Sequence, residues 1–265
     1  MILILRLLGE KWLMKILFTR KHFITLISIA LMMSLWQIAA WYFDSDLIVP
    51  YPHKSFISVV GLIGDVGFIK VVGATVIRGL FGFFISAALG LLVGIWAGLR
   101  QDFNTFISPF LVTIRSIPVI SLILLALIWF NPSVVPVFIA MLTMFPFICT
   151  NVADGIKSVD PNLVQMAKFY RVDRRKILHD LYIPAIMPFI VSGASSAMGI
   201  GWRAIIIGEV LSQPRYGIGT KMQAAQTYLN VEAVIAWTLI AILISFAFEK
   251  IIRLYEKRVL KWRVQ

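Results

Sequence analysis

"VIRGLFGFFISAALGLLVGIWAGL", residues 76–99, is 24 residues long and carries one charge, Arg78, close to its start. An α-helix rises 1.5 Å per residue, so this stretch can cross roughly 30 Å of hydrocarbon. Its apolar content is continuous. The alternation of apolar and polar residues that marks a membrane-spanning β-strand is absent. Gly82, Ser86, Gly90, Gly94 and Gly98 recur every four residues, a small-residue stripe that lets another helix approach closely.

The rest of the chain repeats this theme. Of 265 residues, 60% are hydrophobic and 14% charged, with a mean hydropathy of +0.89. A soluble domain is near half apolar and a quarter charged. Further apolar runs cover 23–43, 106–130 (interrupted by Pro109 and Pro118), 134–152 (containing Pro136 and Pro146), 184–208 and 232–252. The expected fold is an all-α integral membrane domain of about six spans, occupying residues 1–265 as one unit. Residues 1–22 are expected to form an interfacial amphipathic segment. The run at 23–43 exceeds the 7–15 residues of a signal-peptide core, so an uncleaved first span is expected. The lone Cys149 gives no disulfide framework. His22, His53 and His179 are scattered, which disfavours a metal centre.

Net charge is +12, but the cations cluster at the ends of spans, which fits membrane flanks better than nucleic acid. With the N-terminus inside, eighteen Lys and Arg fall on the inner side and four on the outer. That asymmetry puts both termini and the segment 158–183 on the cytoplasmic side of the membrane.

Within that segment, "SVDPNLVQMAKFYRVDRRKILHDLYIP" (158–184) has a helix grammar of its own. Asp160 followed by Pro161 is a cap and first-turn pair. Leu163, Met166, Ala167 and Tyr170 share one apolar face. Asp173 can cap a second short helix carrying Arg174, Arg175 and Lys176, and Pro184 starts the next span. A charged loop with structured apolar faces suits docking of another protein.

This register resembles the membrane subunits of ATP-binding-cassette importers. Their cytoplasmic loop reads E-A-A, three residues, G, nine residues, I, one residue, L-P. Here it falls on Gln165, Met166 and Ala167, then Arg171, then Leu181, Ile183 and Pro184. Ala167 and Pro184 match, and Arg171 stands in place of the glycine. A non-glycine residue in a left-handed turn costs about 1 kcal/mol or forces another geometry. "LIVPYPHKSF" (47–56), "TVIRGLFGF" (75–83), "IRSIPVISLILLALIWF" (114–130) and "GWRAIIIGEVLSQPRYGIG" (201–219) are similar to the nitrate, sulfonate and taurine branch of that family.

The resemblance implies a type I importer permease fold and a coupling loop, with Lys168, Tyr170, Arg174 and Arg175 among its docking residues. It also implies three partners: cytoplasmic ATPase subunits, a second permease subunit as a homodimer, and an extracytoplasmic binding protein. The solute would be a small anion or heterocycle of the sulfonate, taurine, nitrate or vitamin-precursor class. The sequence lacks a G-x-x-x-x-G-K-[ST] loop, so ATP would be hydrolysed by a partner, and no enzyme activity or cofactor is expected in this chain. "GIGTK" (217–221) lacks the spacing of that loop and reads as a turn.

Arg115 and Arg203 lie within spans, where a charge usually faces protein or water; a pathway role and a structural role both stay open for them. Glu209 joins them as a candidate, with Arg203 as its partner if the helix ends between the two. Arg78, near a span end, is expected to snorkel. Gly193, Ala197 and Gly201 form a second small-residue stripe, open to packing within the chain or between subunits. The rival reading is a secondary transporter coupled to ions or protons, against which stands the lack of Asp and Glu in the expected span interiors.

Overall fold

The computed structural model describes residues 20–259, all of whose regular structure is helical. In chain order the helices are α1 (Arg20–Phe43), α2 (Pro52–Ile63), α3 (Phe68–Leu99), α4 (Gln101–Ser116), α5 (Val119–Trp129), α6 (Val135–Lys157), α7 (Pro161–Phe169), α8 (Arg174–Ser212), α9 (Ile218–Thr227) and α10 (Val231–Val259). The segment 1–19 of the expected amphipathic region lies outside the described residues. α1, α3, α6, α8 and α10 are each long and apolar enough to cross a membrane, and α4 with α5 passes the same test only as a bent pair, a broken span or a re-entrant loop.

Two expectations change. The run at 106–130 is not one helix with a kink. α4 and α5 meet at 96°. Ile117 is extended (φ −70°, ψ 130°), the conformation that the ring of Pro118 favours in the residue before it. Pro109, by contrast, stays inside α4. The second short helix of the 158–184 segment is not separate either. Arg174–Lys176 begins α8, and Ile177–Tyr182 winds as a wider π turn that runs unbroken into Ile183–Ser212. A proline crowds the carbonyl four residues before it, and Pro184 has Asp180 in that place. A widened turn relieves the clash without ending the helix.

α6 is the central helix, the most buried of the five independent crossings. α3 runs parallel to it, with Gly82 facing Ala140, Gly90 facing Ile148 and Gly98 facing Ile156. Methyl groups added at these glycines would fall 2.7, 2.8 and 2.6 Å from those Cβ atoms. Ser86 Oγ donates to Gly82 O at 2.7 Å and stands 3.0 Å from Met141 O on α6. On the other flank α8 runs antiparallel to α6, with Gly193 against Asn151, Gly201 against Met144 and Gly208 against Pro136. The second stripe therefore packs inside the chain, as the first does. Lipid tails are as apolar as side chains, so close backbone approach of this kind drives helix association in a bilayer.

α1 stands at the edge, with 6% of its most apolar window buried. Trp36 Nε1 donates to Pro50 O at 3.0 Å and ties it to the connection before α2. α10 closes the bundle against α8, where Trp202 Nε1 donates to Ala241 O at 3.1 Å.

Candidate functional site

The segment 158–173 folds as its sequence directs. Asp160 accepts a hydrogen bond from the Asn162 N–H at 2.8 Å, and Pro161 occupies the first turn of α7. The helix ends in a left-handed turn at Arg171 (φ 51°). The Arg171 N–H donates to Lys168 O and the Val172 N–H to Ala167 O, both at 3.0 Å. This pair of bonds is the Schellman arrangement, in which glycine normally takes the left-handed position. Arg171 adopts the glycine's conformation, so the turn keeps its shape.

Apolar and aromatic side chains at the end of α7 point outward. Phe169 is 83% exposed, Tyr170 72% and Met166 54%. Gln165, Lys168, Arg171, Arg174 and Arg175 are also exposed, whereas Ala167 and Pro184 are half-buried towards the bundle. Behind the helix, Val164, Lys168, Arg174, Ile177, Leu178 and Tyr182 line a hollow of about 350 Å³ with Leu99. Aromatic rings exposed among cations make a surface suited to a protein partner. The unbroken helix from Arg174 to Ser212 links this surface to the opposite end of the bundle.

At that opposite end lies an arrangement hidden from the sequence. Glu209 is fully buried. Its carboxylate accepts from Arg78 Nη1 at 2.6 Å, from Thr75 Oγ1 at 2.9 Å and from the Gly219 N–H at 3.0 Å. Thr75 Oγ1 in turn accepts from the Ile218 N–H at 2.9 Å, and Arg78 Nη1 also donates to Tyr216 O at 2.7 Å. A buried charge is tolerated only when paired and hydrogen-bonded, and this one is both. α3, α8 and the turn before α9 meet on one carboxylate.

The two turn glycines are explained by the same carboxylate. A Cβ on Gly217 would fall 2.6 Å from Glu209 Cδ, and one on Gly219 would fall 2.7 Å from Glu209 Cβ. "GIG" is thus a backbone seated against a buried acid, not a phosphate cradle. The expected Arg203–Glu209 pair does not form, because α8 continues to Ser212 and holds the two on different faces. Arg78 does not snorkel; its side chain is 13% exposed and turned onto Glu209. Thr75, Tyr216, Gly217 and Gly219 were missed as site residues. The only sequence signal for them was the glycine pair eight and ten residues after Glu209.

The remaining intramembrane cations are exposed on the chain. Arg115 stands over the ring of Phe147, 5.8 Å from its centroid, a cation–π placement. Arg203 borders two adjoining hollows of about 450 and 470 Å³ between α8 and α10. Arg115, Arg203 and Glu209 therefore occupy three separate places and do not form one cluster.

A multi-spanning helical bundle with a capped, outward-facing loop helix is the architecture of a transport permease. Residues 90–261 match the family described as the binding-protein-dependent transport system inner membrane component, and the chain belongs to that family. It is an inner-membrane permease of the ATP-binding-cassette importer class. Over 237 residues it is 25% identical to SsuC of Bacillus subtilis, named for aliphatic sulfonate transport, covering 88% of this chain and 85% of the relative. It is 24% identical to the taurine transport system permease TauC of Escherichia coli over 233 residues, covering 86% and 84%. A 147-residue stretch is 30% identical to the bicarbonate transport system permease CmpB of Synechococcus elongatus, covering 55% and 53%. Among solved structures, one described as an amino acid ABC transporter with histidines superimposes with a TM-score of 0.62 at 17% identity. It covers 77% of this chain and 97% of that one. The fold is that of type I importer permeases.

Proposed function

We propose that the chain is the membrane-spanning subunit of an ATP-driven importer for a small solute with an oxyanion group, of the sulfonate, taurine or bicarbonate kind borne in its relatives' names. The observation that carries this reading is the surface of α7. A capped helix presents Met166, Phe169 and Tyr170 to the outside beside Lys168, Arg171, Arg174 and Arg175. A cytoplasmic ATPase grips that surface. Its movement passes into α8 through the short turn at 170–173.

In this reading both termini and the 158–173 loop face the cytoplasm, as the excess of Lys and Arg there favours. A binding protein delivers solute at the opposite end, and two copies of the chain enclose the path. Arg203 and Arg115 border that path. Glu209 acts instead as a structural tie, since all its exposed surface is lost to hydrogen-bonded partners.

A carrier that works without an ATPase gains one point from Glu209, an acidic residue inside a spanning helix where none was expected. Its engagement by Arg78, Thr75 and Gly219 leaves it no open route to an ion.

The test is charge reversal. Arg174→Glu with Arg175→Glu is expected to abolish co-purification with the ATPase and ATP-dependent uptake, while the permease still accumulates in the membrane. Normal assembly and uptake in that variant would overturn the docking assignment.

A further inference from the structure

We propose that the furrow between α8 and α10, centred on Arg203, is a binding subsite for a small organic anion with an oxyanion head, such as a carboxylate or sulfonate. The proposal rests on the permease reading and specifies where along the chain the solute is held.

Depth is the first observation. Gly201 packs on Met144, close to the midpoint of α6, so Arg203 two residues further on lies deep in the bilayer rather than at its rim. Arg203 is nevertheless exposed on the chain. It forms no ion pair among the described residues, whereas Arg78 is held by Glu209. A guanidinium at this depth is costly against lipid tails and faces water or a polar partner instead.

Shape and chemistry supply the rest. The two hollows share Trp202, Arg203, Ser245 and Glu249 as walls, and the first adds Ser195 and Ser196. Each is large enough for a small solute. The planar fork of Arg203 matches two oxygens of a carboxylate or sulfonate. Serine hydroxyls are free to rotate and can donate to the others. Phe248, half-buried and 5.4 Å from the buried ring of Trp202, offers apolar surface to an organic tail. Gly199 lies one turn before Arg203 on the same face, and a Cβ built there meets nothing within 4 Å.

The test is charge-selective labelling of the full chain in membrane vesicles. Cys149→Ala removes the buried native thiol, and Gly199→Cys places a reporter beside Arg203. Rates are measured with anionic sulfonatoethyl methanethiosulfonate and with its cationic trimethylammonium counterpart, each normalised to its rate with a free thiol. The anionic reagent is expected to be favoured by about tenfold, the lower end of the enrichment that a charged cleft gives. Arg203→Gln should remove that preference, Arg203→Lys should keep most of it, and excess methanesulfonate should slow the anionic reaction.

Ser245→Cys, on the facing helix, repeats the measurement should the glycine variant fail to accumulate. Absence of labelling at both positions, which places lipid or a second copy of the chain over the furrow, overturns the proposal. So does a preference unchanged by Arg203→Gln. The readout needs neither ATP nor an ATPase, so it can fail while ATP-dependent uptake stands, or hold while ATPase docking fails.

Discussion

Arg78 Nη1 lies 2.6 Å from Glu209 Oε1, an ion pair that closes 131 positions of sequence and bolts α3 to α8. Breaking a buried pair by removing one partner typically costs about 3–5 kcal/mol, because the other charge is left uncompensated. Arg78→Met and Glu209→Leu should each lower the thermal unfolding midpoint of the purified chain markedly. The double variant should lose less than the two single losses added together. Strict additivity would show that the two side chains are not energetically coupled.

The turn over this pair has its own sensitivity. Gly217→Ala and Gly219→Ala each drive a methyl group into Glu209, and overpacking of that kind costs roughly 1–3 kcal/mol. Both variants should make the 213–220 segment easier for a protease to cut. Gly61→Ala and Gly73→Ala, whose added methyls meet nothing within 4 Å, serve as controls and should leave cutting unchanged.

Arg171 holds a glycine's conformation without being glycine. Arg171→Gly should therefore stabilise the end of α7, by about 1 kcal/mol, and slow amide exchange at Val172, whose N–H closes the turn. Arg171→Val should do the reverse, since a β-branched side chain resists positive φ. Faster exchange in the glycine variant would refute the assignment of the turn.

The stripe on α3 tolerates no added bulk. Gly90→Leu would press into Ile148 at a point where even a methyl falls 2.8 Å from its Cβ. The variant should fail to accumulate as folded protein. Gly73→Leu, on the same helix but in open space, should accumulate normally by detergent extraction and size-exclusion chromatography.

Local signals were legible and long-range ones were not. Runs of about 20 apolar residues announced the crossings, and Asp160–Pro161 announced α7, because both depend on neighbours in sequence. Pro118 marked the break between α4 and α5, but its angle depends on what the two pieces pack against. The helix start at Arg174 was legible from Asp173, but its continuation into the span was not, because Pro184 reads as a helix start. The π turn before it, which lets the helix pass through, leaves no residue signature. Glu209 was matched to Arg203 by closeness along the chain. Its actual partner was the arginine expected to reach for the membrane surface, and only the fold brings Arg78 and Thr75 beside it. The outward turn of Phe169 and Tyr170 likewise follows from the packing of Val164 and Ala167, not from periodicity alone.

The clasp on α6 also limits how the molecule can work. Gly82, Gly90 and Gly98 on one flank and Gly193 on the other leave no clearance even for a methyl group, and Gly201 and Gly208 press closely on the Met144 side chain and on Pro136. Helices meshed so tightly cannot ratchet lengthwise past one another without collisions at every turn. In the ATP-driven cycle proposed above, α3, α6 and α8 are therefore expected to move together as a single lever.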